Sequence, residues 1–235
     1  MSPSRRRAWQ VAAVAAFAAI VAVVLVLVLS ASTTVKLGDL PQQSRSVERL
    51  FAGIPQREFE LGRASTPATL IEFADPQCPF CGQFARDALP QIVSRYVRAG
   101  RLRIRLELLT FLGADSDRIG GLAAAATLQG RGFDLLELAY ENQGDEGSRY
   151  ATDTYLRRIA QATPGLDADR ALRQASSGPA QRVLDDADAA ASRLGVKGTP
   201  AFYVDQRGKA PVELKPSGYH FEDFVTALAP YLGRP

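Results

Sequence analysis

The stretch "PATLIEFADPQCPFCGQF", residues 67–84, carries a strand pattern that gives way to a helix pattern at two cysteines. A short apolar run ends at Asp75–Pro76, which predicts a buried strand closed by a turn. Pro79 fits the first turn of a helix, where its missing N–H loses no hydrogen bond. Apolar residues then recur at helical spacing, at Phe80, Phe84, Ala88, Ile92 and Tyr96. The stretch therefore predicts a strand, a turn and a helix that begins at the cysteine pair.

Cys78 and Cys81 are the only cysteines in the chain, and Pro79 and Phe80 separate them. Unsatisfied N–H groups and the helix macrodipole favour an anion at a helix N-terminus, so the pKa of Cys78 is predicted to lie below that of a free thiol. Cys81 lies one helical turn further on, where it can close a small ring with Cys78 and attack a mixed disulfide formed there. The pattern indicates a redox couple with Cys78 as nucleophile and Cys81 as resolving thiol.

Three other interpretations fit the cysteine pair less well. A structural zinc site needs four ligands, usually Cys and His, and the chain offers one histidine, His220. A cysteine hydrolase needs a histidine held near the thiol, and nothing in the sequence brings the distant His220 there. Two inert buried thiols would not explain why both fall in the first turn of one helix, where a thiolate is favoured.

The rest of the folded region follows an α/β order. Pro90 falls inside the first helical pattern and predicts a kink. "RLRIRLELL", residues 101–109, alternates strictly and predicts a second strand. From about residue 115 to 195 only helical patterns occur, and then "TPAFYVD" and "PVELKPSG" predict two short strands and "YHFEDFVTALAPYL" a closing helix. The predicted order is β-α-β, a helical insertion, and β-β-α.

The N-terminal segment predicts a membrane anchor. Arg5–Arg7 precede an uncharged apolar run over residues 8–29, which is long enough to span a bilayer and longer than the apolar core of a cleaved signal peptide. The arginines favour a cytoplasmic position for residues 1–7. We predict a transmembrane signal-anchor over 8–30 and an extracytoplasmic stalk over 31–57 with one short helical turn. The alternative is a signal peptide cleaved at the small residues around Ala31.

The amino-acid composition limits the kinds of partner that the chain is predicted to bind. The net charge of +3 includes the three arginines before the apolar run, so the remainder is close to neutral and contains no basic block. Nucleic acid is therefore not a predicted partner. Extracytoplasmic proteins often use disulfides to stabilise the fold, but this chain of 235 residues can form only one cysteine pair. Side-chain packing must therefore stabilise the core.

Two motifs taken together, "LIEFADPQCPFCGQF" and "GVKGTPAFYVD", resemble those of DsbA-like thiol:disulfide oxidoreductases of the thioredoxin superfamily. The resemblance covers about residues 58–235 and implies an α/β thioredoxin fold with a helical insertion, here preceded by one N-terminal transmembrane helix. It also implies that the Thr199–Pro200 bond is cis and lies against the cysteine pair, so that Thr199 and Pro200 bind an extended substrate segment. The residues alone favour an ordinary trans turn at this position.

The resemblance gives roles to two further residues. Glu72 lies six residues before Cys78, where family members carry a buried acid beneath the cysteines, and would relay the proton of Cys81. The alternative is a glutamate that faces a sheet edge. Phe80 occupies the position where strong oxidants of the family have histidine. Because a phenyl ring cannot donate a hydrogen bond to a thiolate, Pro79 and Phe80 are expected to tune the pair as a milder oxidant.

These observations predict a membrane-anchored extracytoplasmic thiol:disulfide oxidoreductase that exchanges disulfides with cysteines of exported proteins. No metal or organic cofactor is needed, and an unidentified redox partner recycles the enzyme. Two alternatives stay open. The protein could act as a reductase or isomerase on exported clients, or its groove could hold peptides without redox turnover, as a chaperone-like module does.

Overall fold

The central strand of the sheet, β3, spans Ala68–Ala74, and all seven of its residues are buried. The computed structural model describes residues 17, 20, 21, 37–207 and 209–232, and the described residues from Leu37 onward form one compact unit. The anchor predicted over 8–30 and the cytoplasmic segment 1–7 lie outside the described residues, apart from 17, 20 and 21. None of the described helices is long and apolar enough to cross a membrane.

Six described strands form one sheet in the order β1-β2-β4-β3-β5-β6. The other five strands are β1 Gln56–Arg57, β2 Glu60–Leu61, β4 Leu102–Leu108, β5 Ala201–Gln206 and β6 Val212–Leu214. β3 pairs in parallel with β4 and antiparallel with β5. Side chains of β4 alternate between buried and half-buried, which confirms the strand predicted from its strict apolar alternation. The two strands predicted near the C-terminus are also confirmed.

Helices cover the sheet and form the insertion between β4 and β5. Their bounds are α1 Leu40–Phe51, α2 Pro79–Asp87, α3 Leu89–Ile92, α4 Ala114–Thr127, α5 Gly132–Glu141, α6 Asp153–Ala162, α7 Ala168–Gln174, α8 Gly178–Leu194 and α9 Phe221–Leu228. A π-helical segment, Val93–Val97, continues α3. The helical insertion predicted at about 115–195 is thus confirmed as α4 to α8. The kink predicted at Pro90 is found as a break, because α2 ends at Asp87 and Pro90 lies in the first turn of α3.

Residues 40–57, which we predicted to belong to a stalk, are instead part of the folded unit. α1 begins after Asp39, whose carboxylate caps the helix by accepting from the backbone N–H of Gln42 at 3.1 Å. Val47 and Phe51 are buried in the main core. Ahead of the helix, the backbone N–H of Gly38 donates to the Asn142 side chain at 2.8 Å. The stalk prediction is wrong because the segment is mostly polar, and its few apolar residues form a helical face only when they pack on the core.

The two faces of β3 pack into separate cores. Leu70 and Ala74 belong to the main core, whereas Ile71 and Phe73 belong to a smaller core that includes alanines of α8. Side chains alternate between the two faces of a strand, so Glu72 shares the face of Leu70 and points into the main core. The fold therefore places an acid on the side of the sheet that α2 and α5 cover.

Candidate active site

The turn after β3 fixes the position of the cysteine pair. The buried carboxylate of Asp75 accepts hydrogen bonds from the backbone N–H groups of Gln77 and Leu112, at 2.8 and 3.1 Å, and from the Ser116 hydroxyl. The Asp75 carbonyl accepts from the backbone N–H of Cys78 at 3.0 Å. The end of β3, the start of α2 and the beginning of the helical insertion are thereby joined at one residue, Asp75.

Cys78 is the N-cap of α2 and is buried. Its Sγ lies 3.3 Å from the backbone nitrogen of Cys81, which donates to it, and 3.3 Å from the Thr199 carbonyl oxygen, to which the thiol donates. The pKa of Cys78 is lowered to about 6, chiefly by a hydrogen bond from the Cys81 thiol and further by backbone N–H groups of Phe80 and Cys81, while burial opposes the fall. A hydrogen bond with the Thr199 side chain also lowers this pKa. The Thr199 carbonyl, by contrast, accepts only from the protonated thiol and does not contribute to the fall. The predicted direction of the shift is found.

Cys81 has the opposite character. Its side chain is fully buried, and burial raises its pKa well above the ordinary value, with further increases from the hydrogen bond to Cys78 and from the charges of Cys78 and Glu72. Both cysteines are free thiols in the structure. The pair therefore combines one thiol that ionises near neutral pH with one that holds its proton.

Thr199 and Pro200 lie beside the pair, and the bond between them is cis, as the resemblance implied. They precede β5, so the pairing of β5 with β3 brings the loop from the far end of the helical insertion to the cysteines. Both residues are half-buried. The Thr199 carbonyl reaches Cys78, which leaves backbone groups of this loop next to the reactive sulfur.

Glu72 is buried, with 5% of its surface exposed. Burial raises its pKa to about 8, and the negative charge of Cys78 adds to the shift. On the sheet it lies opposite Leu106 of β4 and Phe202 of β5. The edge-facing alternative is excluded, because Glu72 is in the central strand. A carboxyl group with this pKa holds a proton at neutral pH and can release it within the pH range in which the thiols react.

Phe80 and Pro79, between the cysteines, are exposed. Phe80 has 55% of its surface exposed, and its ring lies 5.4 Å from the ring of Tyr219 at an angle of 32°. The two rings form an apolar surface next to Cys78. No hydrogen-bond donor is added to the thiolate by this side chain.

Sequence analysis missed several residues that the fold brings to α2. Gln143, from the helical insertion, donates from Nε2 to the carbonyls of Pro76 and Cys78 at 2.9 and 3.0 Å. His220 Nδ1 lies 3.3 Å from the Asp87 carboxylate, at the end of α2 remote from Cys78. No local pattern marks these contacts. Glu137 is different, since a second buried acid inside the apolar pattern "GFDLLELAYE" was a signal available in the sequence.

The arrangement is suited to thiol–disulfide exchange. A nucleophilic thiol is favoured by its lowered pKa, and a second thiol one helical turn away can resolve the mixed disulfide. A buried acid on the adjacent strand lies within the electrostatic range of both. Among the residues that the structure describes, no group of three or more His, Cys, Asp or Glu side chains could hold a metal ion.

Comparisons with known proteins agree with this arrangement. Residues 56–215 match the sequence profile of the family described as Thioredoxin. A probable disulfide bond formation protein D of Bacillus cereus is 25% identical over 186 residues, which cover 77% of this chain and 84% of that protein.

Solved structures show the same fold at lower identity. Oxidised BdbD from Bacillus subtilis has a TM-score of 0.63 and 19% identity, covering 77% of this chain and 98% of the other. Wolbachia pipientis alpha-DsbA1 has a TM-score of 0.60 and 20% identity, covering 80% and 96%. With a family profile that matches more than half of its length and a site built on Cys78 and Cys81, the chain belongs to the thioredoxin superfamily as a DsbA-like thiol:disulfide oxidoreductase.

Proposed function

We propose that this protein is a membrane-anchored oxidoreductase that transfers its Cys78–Cys81 disulfide to cysteines of exported proteins. The observation that carries the proposal is the contrast between the two thiols, a pKa of about 6 for Cys78 and a pKa well above the ordinary value for Cys81. Stabilising the Cys78 thiolate favours the reduced form and makes the disulfide oxidising. The names of relatives, disulfide bond formation proteins, support the same direction.

The proposed reaction proceeds in two exchanges. A client thiolate attacks Cys78 Sγ, the Cys78–Cys81 bond breaks, and Cys81 leaves as a thiolate that takes a proton from Glu72. A second client thiolate then attacks the client sulfur of the mixed disulfide and releases Cys78 as a thiolate. The client loses two electrons, and the enzyme gains them. Of the two protons lost by the client, the equivalent of one replaces the proton that Glu72 gave to Cys81, and the other goes to solvent.

Thr199 and Pro200 are proposed to hold the client. An extended segment can pair with exposed backbone groups of the loop while its cysteine meets Cys78. The 3.3 Å contact between the Thr199 carbonyl and Cys78 Sγ supports this placement. The aromatic surface of Phe80 and Tyr219, on the same side of the pair, supplies apolar contact to flanking client residues.

The anchor is proposed from the sequence. Residues 1–7 would stay in the cytoplasm, residues 8–30 would span the membrane, and the folded unit would lie outside, because Arg5–Arg7 precede the apolar run. In cells, the protein is expected in the membrane fraction, with its C-terminal part accessible to external protease.

The redox state of the pair in cells distinguishes an oxidant from a reductant. Acid quenching followed by thiol alkylation is expected to find Cys78 and Cys81 joined as a disulfide. A pair trapped mainly as thiols would instead favour a reductase or isomerase.

Phe80 is proposed to set a mild potential. In Phe80→His the new side chain can donate to the Cys78 thiolate and so stabilise the reduced form, which makes the disulfide more oxidising. We expect a shift of roughly 30 mV, corresponding to about 1.4 kcal/mol, the size of one charge-assisted hydrogen bond. The measurement is equilibration of each protein with glutathione. Phe80→Leu is the matched control, since it also loses the ring contact with Tyr219 but adds no donor; equal potentials for the two variants would contradict this role.

A further inference from the structure

A small cavity lies in the main core beside α2, between β3 and α5. Its volume of about 10 Å³ gives room for about one water molecule. Its polar lining consists of Glu72, Glu137 and Tyr140, and its other walls are apolar. Two buried carboxyl groups, one from the sheet and one from the helical insertion, therefore face the same small space.

Glu137 also lines a second, much larger space. A surface cleft of about 650 Å³ is bordered by α1, the segment from α3 to Arg98, and α5. Exposed polar residues line it, among them Ser46, Arg98 and Glu141. Glu137 is common to the cavity and the cleft. Glu137 thus lies between the cavity that Glu72 lines and the solvent-exposed cleft.

The groups around Glu137 favour its protonated form. Burial raises its pKa well above the ordinary value, the charges of Glu141 and Glu72 raise it further, and Arg86 opposes. Arg98 and Arg49 also border the cleft from the opposite side. Arg86 donates from Nη1 to the Tyr140 carbonyl at 2.7 Å, so part of its donor capacity is used elsewhere. Glu137 is therefore a buried acid that favours its protonated form and can act as a proton donor.

Tyr140 is a weaker candidate for moving a proton out of the cavity. Its hydroxyl donates to the Asp75 carbonyl at 3.2 Å, so its proton is directed to the turn after β3. The phenol also holds its proton strongly, since burial raises the pKa of Tyr140 well above the ordinary value. Of the polar groups that line the cavity, only Glu137 also reaches the cleft.

We propose that Glu137 passes protons between the surface cleft and Glu72, so that the helical insertion supplies the proton route of the resolving thiol Cys81. The inference rests on the proposed function, in which Glu72 protonates Cys81. Glu137 acts through Glu72, and neither cysteine is among the groups that shift its pKa. The water that the cavity accommodates would bridge the two carboxyl groups.

The proton balance follows the exchange reaction. When the Cys78–Cys81 bond breaks, the Cys81 thiolate takes the proton of Glu72, and Glu72 becomes a carboxylate. Glu137 then gives its proton to Glu72 through the cavity and recovers one from water in the cleft. During reoxidation of the enzyme, Cys81 loses its proton and the same transfers run in reverse.

The test is the single-turnover oxidation of a reduced dithiol peptide by the full-length disulfide form, followed across pH by acid quenching. Glu137→Gln keeps the shape of the side chain but cannot relay a proton. We expect the parent's rate near pH 6, where Glu72 starts with its own proton, and a rate about tenfold lower near pH 9, where Glu72 is mostly a carboxylate and must first receive a proton from Glu137. Glu222→Gln is the matched control, because this exposed acid in the first turn of α9 borders neither the cleft nor the cavity and is not among the charges that act on Glu137. We expect it to match the parent.

A second variant separates relay from structure. Glu137→Ala opens the wall between cleft and cavity, and added formate, a small acid, is expected to restore part of the lost rate. A Glu137→Gln protein with the parent's rate and pH dependence would overturn the proposal, as would a slow Glu137→Ala protein that formate does not accelerate. An inactive parent, by contrast, would refute the proposed function itself, so the two failures are distinguishable.

Discussion

Cys78→Ser is expected to lose thiol–disulfide exchange completely, because no other described side chain offers a nucleophilic sulfur at the N-terminus of α2. A serine hydroxyl cannot form the mixed disulfide, and the buried Cys81 does not replace the lost thiol, since its pKa lies well above the ordinary value. Reduction of insulin by dithiothreitol and oxidation of a reduced peptide are the assays. Residual exchange comparable to that of the parent would show that Cys78 is not the attacking thiol.

Cys81→Ala is the informative partner of that variant. It retains the nucleophile of lowered pKa but lacks the resolving thiol, so client proteins are expected to accumulate as mixed disulfides on Cys78. Non-reducing electrophoresis after acid quenching measures them. Equal trapping by Cys78→Ser and Cys81→Ala would reverse or abolish the assignment of roles. If the parent were inactive in both assays, the non-redox, peptide-holding alternative would be favoured instead.

Glu72→Gln is expected to raise the free energy of unfolding, by an amount that grows with pH. The folded-state pKa of about 8 lies above the ordinary value of 4.5, so the folded protein binds the proton more tightly than the unfolded chain. Ionising Glu72 therefore lowers the free energy of unfolding of the parent protein. This loss of stability is absent below about pH 4.5, increases as pH rises, and is complete above about pH 8. At 1.36 kcal/mol per pH unit, it amounts to roughly 3 kcal/mol at pH 7.

Urea unfolding at several pH values measures this difference. Below pH 4.5 the variant and the parent are expected to be alike, apart from a constant offset for the amide. Glu213→Gln, on the exposed face of β6, is the control and should show no such divergence. A Glu72→Gln protein whose stability difference from the parent did not change between pH 5 and pH 9 would contradict the raised pKa, and with it the role of Glu72 as a proton donor at neutral pH.

The parts of the fold that sequence predicted well are those with local signals. β3 and the start of α2 are encoded by an apolar run, a turn dipeptide and a helix-starting proline, and the strict alternation in β4 needs no tertiary information. α1 has a local signal as well, but it is weaker, because its polar face is long and its buried residues are few. The apolar face becomes recognisable only when α5, α6 and the π-helical segment Val93–Val97 cover it.

The site divides in the same way. Cys78 and Cys81 follow from spacing and helix position, whereas Thr199, Pro200 and Glu72 were placed by resemblance, because the topology that joins them to the pair is not local. Gln143 and Tyr219 carried no signal, since a glutamine in a loop or a tyrosine before a helix is common. Glu137 could have been identified from its position in an apolar helix, but its relation to Glu72 depends on how the insertion packs against the sheet.

Because α1 belongs to the folded unit, few residues connect that unit to the proposed anchor. With Leu37 packed against the main core and Gly38 bonded to Asn142, six residues, 31–36, separate the folded unit from the proposed anchor, instead of the 27 of the predicted stalk. A chain of six residues spans at most about 20 Å, whereas one of 27 residues spans at most about 90 Å. Under the proposed anchoring, the enzyme is confined to a thin layer next to the bilayer. It would then meet clients as they emerge from translocation, at high local concentration, and would seldom reach proteins that have already diffused away.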